Sequence, residues 1–320
     1  MFQYVLHIKP RHIAAKNSYR ANGKLLLSGE YFILQGAKGL ALPTKLGQTL
    51  KVKESSGSDI VWKSYRKNGE LWFDAKFDLL GIEVIKSSDE EIAKRLRKII
   101  RSAIRNNSDF LSKWKKYTVE TYMEFEPEWG LGSSSTLIYN IANWAEANPF
   151  HVFFGVENGS GYDIACAGMD QAIIYQLRDD EISYSGTEFN PSFKNQIYFV
   201  YRGAKQNSSQ EVERFQENGK TDKQLLIEIS NITDAMNDAK SIKEFDKLID
   251  KHESILSKEL KLPKVKEELF SDYWGSIKSL GAWGGDFVMV TSTEGDEKTK
   301  SYFNQKGLNI CFKYEELILS

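Results

Sequence analysis

Apolar and polar residues change their period around residue 130. From 117 to 125 they alternate, the pattern of a half-buried strand. From 137 onward the apolar residues recur at helical spacing. They are Leu137, Ile138, Ile141, Ala142 and Ala145. The segment between them reads Gly-Leu-Gly-Ser-Ser-Ser-Thr, from Gly130 to Thr136. The pattern therefore predicts a strand, a glycine–serine loop and a helix.

The same two periods predict the strands and helices in the rest of the chain. Strands are expected at 25–27, 46–52, 60–62, 171–177, 196–201, 286–291 and 308–312, with a helix between the last two. A helix is expected over 87–107, with a capping box from Ser88 to Glu91. Residues 208–280 are almost wholly helical in pattern. The apolar stripe of their last helix is Val265, Leu269, Tyr273, Ile277 and Leu280. Strands and helices mix in both halves, which predicts an α+β fold. The change near residue 195 predicts two domains, 1–195 and 196–320.

Composition narrows the class of protein. The chain has 320 residues, 41% hydrophobic and 27% charged, which is typical of a globular protein of one or two domains. A net charge of −1 favours neither nucleic acid nor an anionic membrane as a partner. Cys166 and Cys311 give no disulfide framework, and the four histidines lie at no metal-ligand interval. No apolar run approaches the length of a membrane span. We therefore expect a cytoplasmic protein.

The glycine–serine loop has the composition of a phosphate site. A helix start leaves backbone N–H groups unpaired and carries partial positive charge. Glycines let the backbone approach an anion closely, and serine hydroxyls add hydrogen bonds or a Mg²⁺ ligand. The alternative is an ordinary loop in which a Ser or Thr caps the helix. The loop is not a Walker A sequence, because no Gly-Lys-Ser/Thr follows at the required spacing.

Three further segments carry candidate chemistry. Lys24 lies in a strand-like segment at 22–31, where it could neutralise phosphate or a developing alkoxide. Asp163, behind Gly159 and Gly161, could accept a proton from a hydroxyl. The third segment, Gly-Ala-Trp-Gly-Gly-Asp at 281–286, is rich enough in glycine for close backbone contact. The alternatives are a surface lysine, a helix-start aspartate and a plain connecting loop.

Taken together and in their order along the chain, the four segments resemble the GHMP kinase superfamily. The resemblance extends from about Tyr19 to the end of the chain. Within it the chain looks most like the mevalonate and phosphomevalonate kinase branch. The resemblance implies a ribosomal-protein-S5-domain-2-like N-terminal domain and a ferredoxin-like C-terminal domain, with the active site between them. It also implies ATP and Mg²⁺ as cofactors.

The resemblance assigns roles residue by residue. The ATP phosphates are expected to bind Gly130, Leu131, Gly132, Ser133, Ser134 and Ser135. Ser134 is the expected Mg²⁺ ligand. Asp163 matches the catalytic aspartate that takes the hydroxyl proton, and Lys24 matches the lysine beside it. A lysine next to an aspartate keeps the carboxylate ionised, as a base requires.

Substrate contacts are less specific. The candidates are Glu30, Tyr31, Ser160, Gly161, Arg202, Lys205, Ser208, Ala282, Trp283 and Gly284. In a phosphomevalonate-like enzyme Arg202, Lys205 and Ser208 would meet a substrate phosphate, and the alternative is a solvated turn. The chain departs from the family at Asn22, where Pro is usual, and at Trp283, where Gly is usual. Glu157 is closer to Asp163 than the family's second Mg²⁺ ligand, so that role is not assigned.

The sequence thus predicts an ATP-dependent kinase that acts on a small molecule, either mevalonate or phosphomevalonate, as a monomer or a homodimer. One alternative is a sibling on the same fold, such as a sugar kinase or a diphosphomevalonate decarboxylase. The other is a catalytically silent nucleotide-binding module, which the presence of both Lys24 and Asp163 disfavours.

Overall fold

A computed structural model describes residues 17–179, 181–203, 215, 221–281 and 286–319. The strands are β1 (Ser18–Ser28), β2 (Lys38–Ser55), β3 (Asp59–Tyr65), β4 (Leu71–Asp78), β5 (Val84–Ser87), β6 (Lys116–Met123), β7 (Ile173–Arg178), β8 (Glu181–Gly186), β9 (Ile197–Tyr201), β10 (Ile277–Leu280), β11 (Phe287–Thr291) and β12 (Cys311–Lys313). The helices are α1 (Glu90–Asn106), α2 (Ser133–Trp144), α3 (Pro149–Phe154), α4 (Tyr162–Ala167), α5 (Lys223–Asp238), α6 (Ile242–Leu260), α7 (Val265–Leu269), α8 (Asp296–Gln305) and α9 (Tyr314–Leu317). Short 3₁₀ turns lie at Phe32–Gln35, Pro127–Trp129 and Lys194–Gln196.

The described strands form two sheets. The first runs in the order β5-β4-β3-β6-β2-β7-β8, with β1 paired to β2, and all its pairs are antiparallel except β3 with β6. The second is antiparallel, in the order β10-β11-β9-β12. The predicted α+β class is confirmed. The chain passes from the first sheet to the second between Gly186 and Ile197, and the domain division at 195/196 stays a prediction.

Strand β1 lies in the part of the first sheet that is covered on both faces. Leu26 packs in one core with α1 to α4, whereas Leu25 and Leu27 pack in a second core with α5, α6 and the second sheet. Successive strand residues point to opposite faces, so a run of three leucines serves two cores. Lys24, next to these leucines, is thereby held on a strand that the protein covers on both sides.

Two of the predicted helix boundaries are wrong. The predicted capping box from Ser88 to Glu91 is absent, because Asp89 is the N-cap of α1 and its carboxylate accepts from Ile92 N–H at 3.0 Å. Ser88 instead binds the backbone of Asp74 through its hydroxyl, accepting from the N–H at 2.9 Å.

The predicted helix that ends at Leu280 is also wrong. Helix α7 stops at Leu269, and Ile277–Leu280 is strand β10, paired with β11. All four residues of β10 are buried although Lys278 and Ser279 are polar, so the strand lacks the alternation of apolar and polar residues that would mark it in the sequence. Val265, Leu269, Tyr273 and Ile277 have the i, i+4 spacing of a single helix, but they lie in a helix, a turn and a strand.

Among the described residues, no helix combines the length and the apolar character that crossing a bilayer requires.

Candidate active site

The glycine–serine loop presents an uncapped helix start. Gly130 and Gly132 have φ values of 67° and 91°, in the left-handed region that favours glycine. Gly132 is the N-cap residue of α2, and the first intrahelical bond runs from Thr136 N–H to Gly132 O at 2.9 Å. The N–H groups of Ser133, Ser134 and Ser135 precede that bond and have no partner within the helix. No side chain in the described part of the chain caps them.

The N-cap of α2 is Gly132, which has no side chain, and the hydroxyls of Ser135 and Thr136 lie inside the helix. The single proton of Thr136 Oγ1 has three acceptors within hydrogen-bond distance, namely Gln48 Oε1 at 2.9 Å and the carbonyls of Gly132 and Ser133 at 3.0 Å. Ser135 Oγ donates to Asp163 Oδ2. The alternative of an ordinary Ser or Thr cap is therefore not what the structure shows. Among the described residues, no side chain accepts from these N–H groups, which is the arrangement found at helix N-termini that bind anions.

Packing fixes the path of the loop. Trp129, just before Gly130, is 5% exposed and its ring contacts those of Tyr201, Phe287 and Phe312. Leu131 is fully buried, and its carbonyl accepts from Lys24 N–H at 3.0 Å. The loop is thus held between β1 and the second sheet.

The Asp286 side chain occupies the space that a side chain on Gly130 would need. A Cβ on Gly130 would lie 1.9 Å from Asp286 Oδ2 and 2.6 Å from its carboxyl carbon. Such a separation is far below any van der Waals contact. The last residue of the 281–286 segment therefore packs directly on the glycine–serine loop.

Lys24 reaches the same loop from β1. Its Nζ donates to Gly130 O at 3.1 Å and lies 5.5 Å from the centroid of the Tyr162 ring. A Cβ on Gly132 would lie 3.2 Å from the Lys24 side chain. Burial alone would lower the pKa of the Lys24 ammonium. Tyr162, Asp163 and Asp286 outweigh that effect and raise the pKa above its ordinary value. Lys24 therefore remains a cation at neutral pH.

Asp163 completes the arrangement from α4. It lies in the first turn of this helix, whose N-cap is Gly161 (φ 80°). Its carboxylate accepts from Ser135 Oγ and, at 3.2 Å, from Ile164 N–H. The Asp163 carboxylate is also close enough to Lys24 to contribute to its raised pKa. The predicted base and the predicted lysine thus meet at the start of α2.

Nine of the ten predicted substrate contacts fall into three groups. Ser160 and Gly161 immediately precede α4, beside Asp163. Tyr31 is 6% exposed and its ring contacts Phe215, while the Glu30 carboxylate is 3% exposed and bound by Lys278 at 2.5 Å. A substrate has little access to the side chains of Tyr31 and Glu30 here. Lys205, Ser208, Ala282, Trp283 and Gly284 lie outside the described residues.

Arg202 lies beside Asp286, since its backbone N–H donates to Asp286 O at 2.8 Å. Burial lowers the pKa of its guanidinium, against the effect of Glu268. Its Nη1 is buried and has no acceptor among the described residues. The turn after β9 is therefore not simply solvated at this arginine.

Two residues of the site were missed in the sequence, Tyr162 and Asp286. Tyr162 lies between Gly161 and Asp163, and burial raises the pKa of its hydroxyl against the opposing effect of Lys24. Asp286 ends the glycine-rich segment, whose expected contacts stopped at Gly284. Its sequence signal was its place after Gly-Gly, but only the fold shows that it faces Gly130.

The residues present fit a magnesium–nucleotide site. No cluster of three metal-ligating side chains occurs in the described part of the chain. Mg²⁺ usually keeps few protein ligands and takes its other oxygens from water and phosphates. Ser134, half-buried in the first turn of α2, is placed where it could supply one such oxygen. Glu157, in contrast, binds Arg95 Nε at 3.0 Å.

Solved structures resemble this chain along most of its length. Mevalonate kinase from Methanococcus jannaschii matches with a TM-score of 0.69 and 17% identity, covering 97% of this chain and 100% of its own. Phosphomevalonate kinase from Streptococcus pneumoniae, in complex with phosphomevalonate and AMPPNP, matches with a TM-score of 0.67 and 19% identity, covering 92% and 98%. This chain has the GHMP kinase fold.

Other members of the fold are similar at a lower level. Galactokinase from Lactococcus lactis, complexed with galactose, matches this chain with a TM-score of 0.61 and 13% identity, covering 90% of this chain and 88% of its own. No protein-family model and no curated protein sequence matches the chain. The GHMP kinase fold is therefore established by three-dimensional similarity.

The contact between Gly130 and Asp286 predicts the effect of Gly130→Ala. A Cβ in left-handed backbone costs about 1–2 kcal/mol, and forced overpacking adds about 1–3 kcal/mol. Gly69→Ala is the matched control, because Gly69 also has a positive φ (83°) but no atom within 4 Å of its Cβ position. We expect Gly130→Ala to lower the free energy of unfolding more than Gly69→Ala does, as measured by urea denaturation. The double variant Gly130→Ala/Asp286→Ala should recover part of the difference. Equal losses in Gly130→Ala and Gly69→Ala would contradict the contact.

Proposed function

We propose that this chain is an ATP-dependent kinase that phosphorylates a small metabolite. The observation that carries the proposal is the meeting of Lys24 and Asp163 at the uncapped start of α2. A cation, a carboxylate and unpaired backbone donors around one loop suit phosphoryl transfer, which depends mainly on positioning and charge stabilisation.

The start of α2 would bind the ATP phosphates. The N–H groups of Ser133, Ser134 and Ser135 have no acceptor within the helix, and the helix dipole adds positive potential there. Gly130 and Gly132 keep the loop backbone free of side chains on the approach to those donors. This geometry supports the assignment of the loop to nucleotide binding.

Asp163 and Lys24 would act on the acceptor. A substrate hydroxyl gives its proton to the Asp163 carboxylate while its oxygen forms a bond to the γ-phosphorus of ATP. The bond from that phosphorus to the β–γ bridging oxygen breaks, and ADP leaves with the electron pair. Ser135 Oγ, hydrogen-bonded to Asp163 Oδ2, orients the carboxylate. Lys24 stabilises negative charge on the transferred group and the attacking oxygen.

Mg²⁺, when bound, would neutralise charge on the phosphate oxygens. Ser134 is the residue of this chain proposed to hold it.

The acceptor we propose is mevalonate or phosphomevalonate. Similarity in fold to kinases of both compounds supports this choice. The buried Nη1 of Arg202, which has no acceptor among the described residues, favours an anionic acceptor. A sugar kinase remains the main alternative, since galactokinase shares the fold and fold does not determine substrate.

The proposal predicts which compounds stimulate ADP release from Mg²⁺-ATP. We expect turnover with mevalonate or with phosphomevalonate and none with galactose, measured in a coupled ADP assay. Turnover with galactose alone would overturn the acceptor proposal but keep the kinase. ATP binding without turnover on any acceptor would favour a silent nucleotide-binding module.

Asp163→Asn separates the two proposed acceptors. With a hydroxyl acceptor kcat should fall by about 10²–10⁴, the usual contribution of a general base. A phosphate monoester, with a second pKa of about 6, is already ionised at pH 8 and needs little help from a base, so the fall should be smaller. The control is Asp170→Asn, which changes an exposed carboxylate on the same stretch of chain. An unchanged kcat with a hydroxyl acceptor would show that Asp163 is not the base.

A further inference from the structure

Four ionisable side chains are buried together away from solvent: Glu30, His252, Glu253 and Lys278. Each is at most 3% exposed. They come from three parts of the chain, namely the turn after β1, helix α6 and strand β10. We call these four residues the buried charge network. Charged side chains are rarely buried unless they are paired, because removing them from water is costly. We therefore asked what this network does.

Lys278 is the centre of the network. Its Nζ donates to Glu30 Oε1 at 2.5 Å and to Ser279 O at 3.2 Å, and lies 3.4 Å from Glu253 Oε1. Glu253 Oε2 also accepts from Ser279 N–H at 3.3 Å. One ammonium therefore faces two carboxylates.

His252 does not balance the second carboxylate. Gly29 N–H donates to His252 Nε2 at 3.1 Å, so this nitrogen presents its lone pair and the ring is neutral. Burial, followed by the charge of Lys278, lowers the pKa of His252 well below its ordinary value. The other carboxylates of α6 near β10 are engaged elsewhere. Asp246 accepts from Thr291 Oγ1 and Asp250 from Ser276 Oγ.

The network is consequently neutral only when one carboxyl group keeps a proton. Burial raises the pKa of both groups against the opposing effect of Lys278, and the pKa of Glu253 reaches about 7. Glu30 Oε2 accepts no hydrogen bond from any described residue, although it lies 3.4 Å from His252 Nε2. Loss of the proton would leave an uncompensated buried negative charge, which is unfavourable.

The network joins β1, which carries Lys24, to β10, which pairs with β11 beside Asp286. Glu30 is two residues beyond β1, which carries Lys24. Lys278 is in β10, and Leu280 at the end of β10 pairs with Phe287, the residue after Asp286. The Glu30–Lys278 ion pair therefore connects β1, the strand of Lys24, to β10, the strand before Asp286. Lys24 and Asp286 both contact the glycine–serine loop.

We propose that Glu30, His252, Glu253 and Lys278 form a positioning network that holds Lys24 and Asp286 in place on either side of the loop, and that releases this hold when Glu253 loses its proton. Its effect on catalysis rests on the proposed kinase function, whereas its effect on stability does not. The network touches no reacting atom and acts through the strands that it joins.

The sign of the pH effect follows from proton binding. Between about pH 4.5 and 7 the folded protein keeps a proton on Glu253 that the unfolded chain has lost, so stability falls as pH rises through this window. In Glu253→Gln this loss is absent, because the amide does not titrate. The melting temperature of wild type should therefore fall by about 5 °C more than that of Glu253→Gln between pH 5 and pH 8. Glu259→Gln, a partly exposed change on the same helix, should keep the wild-type slope.

Kinetics test the positioning role. Lys278→Met should lower kcat by about 10- to 100-fold with little change in the KM for ATP, because misplacing catalytic groups by about 1 Å has effects of that size. In wild type, kcat should fall as pH rises through about 7 more steeply than in Glu253→Gln.

Each outcome bears on one proposal. Even if the chain shows no kinase activity, the network would be overturned if the melting temperatures of wild type and Glu253→Gln changed equally between pH 5 and pH 8. If the chain is an active kinase, an unchanged kcat and pH profile in both Lys278→Met and Glu253→Gln would overturn the positioning role alone. Should Lys278→Met fail to fold, Glu253→Gln decides the question by both readouts.

Discussion

The site depends on a helix that begins without a side-chain cap. Within the described chain, the first N–H groups of α2 are satisfied neither by a Ser or Thr hydroxyl nor by another side chain. A helix start in a packed protein normally finds an acceptor, so this one is suited to an external anion. Glycines at 130 and 132 keep the approach open, and the nearby hydroxyls of Ser135 and Thr136 are bound to the protein.

Charges converge on that helix start from three directions. Lys24 comes from β1, Asp163 from α4 and Asp286 from the second sheet. Strand β1, which carries Lys24, packs against a hydrophobic core on each of its faces. The buried charge network adds an ionic link between the same strand and β10. A site assembled from distant segments is thereby supported by packing and by charge.

Sequence patterns were sufficient for much of this arrangement. The alternation at 117–125 and the helical period after 137 placed the loop correctly, and the order of motifs led to Lys24 and Asp163. Fully buried elements were harder to predict, because the four buried residues of β10 have no polar alternation and were mistaken for a helix. Contacts between distant segments were not predictable from local pattern. The packing of Asp286 on Gly130 and the pairing of Lys278 with Glu30 join residues more than 150 positions apart.

The central claim is that the start of α2 binds the phosphates of ATP between Lys24 and Asp163. A crystal structure of the chain with Mg²⁺ and AMPPNP tests it most directly. We expect phosphate oxygens within about 3 Å of the N–H groups of Ser133 to Ser135, the usual hydrogen-bond distance, with the γ-phosphate facing Asp163. Nucleotide bound elsewhere, with the start of α2 left to solvent, would contradict the account.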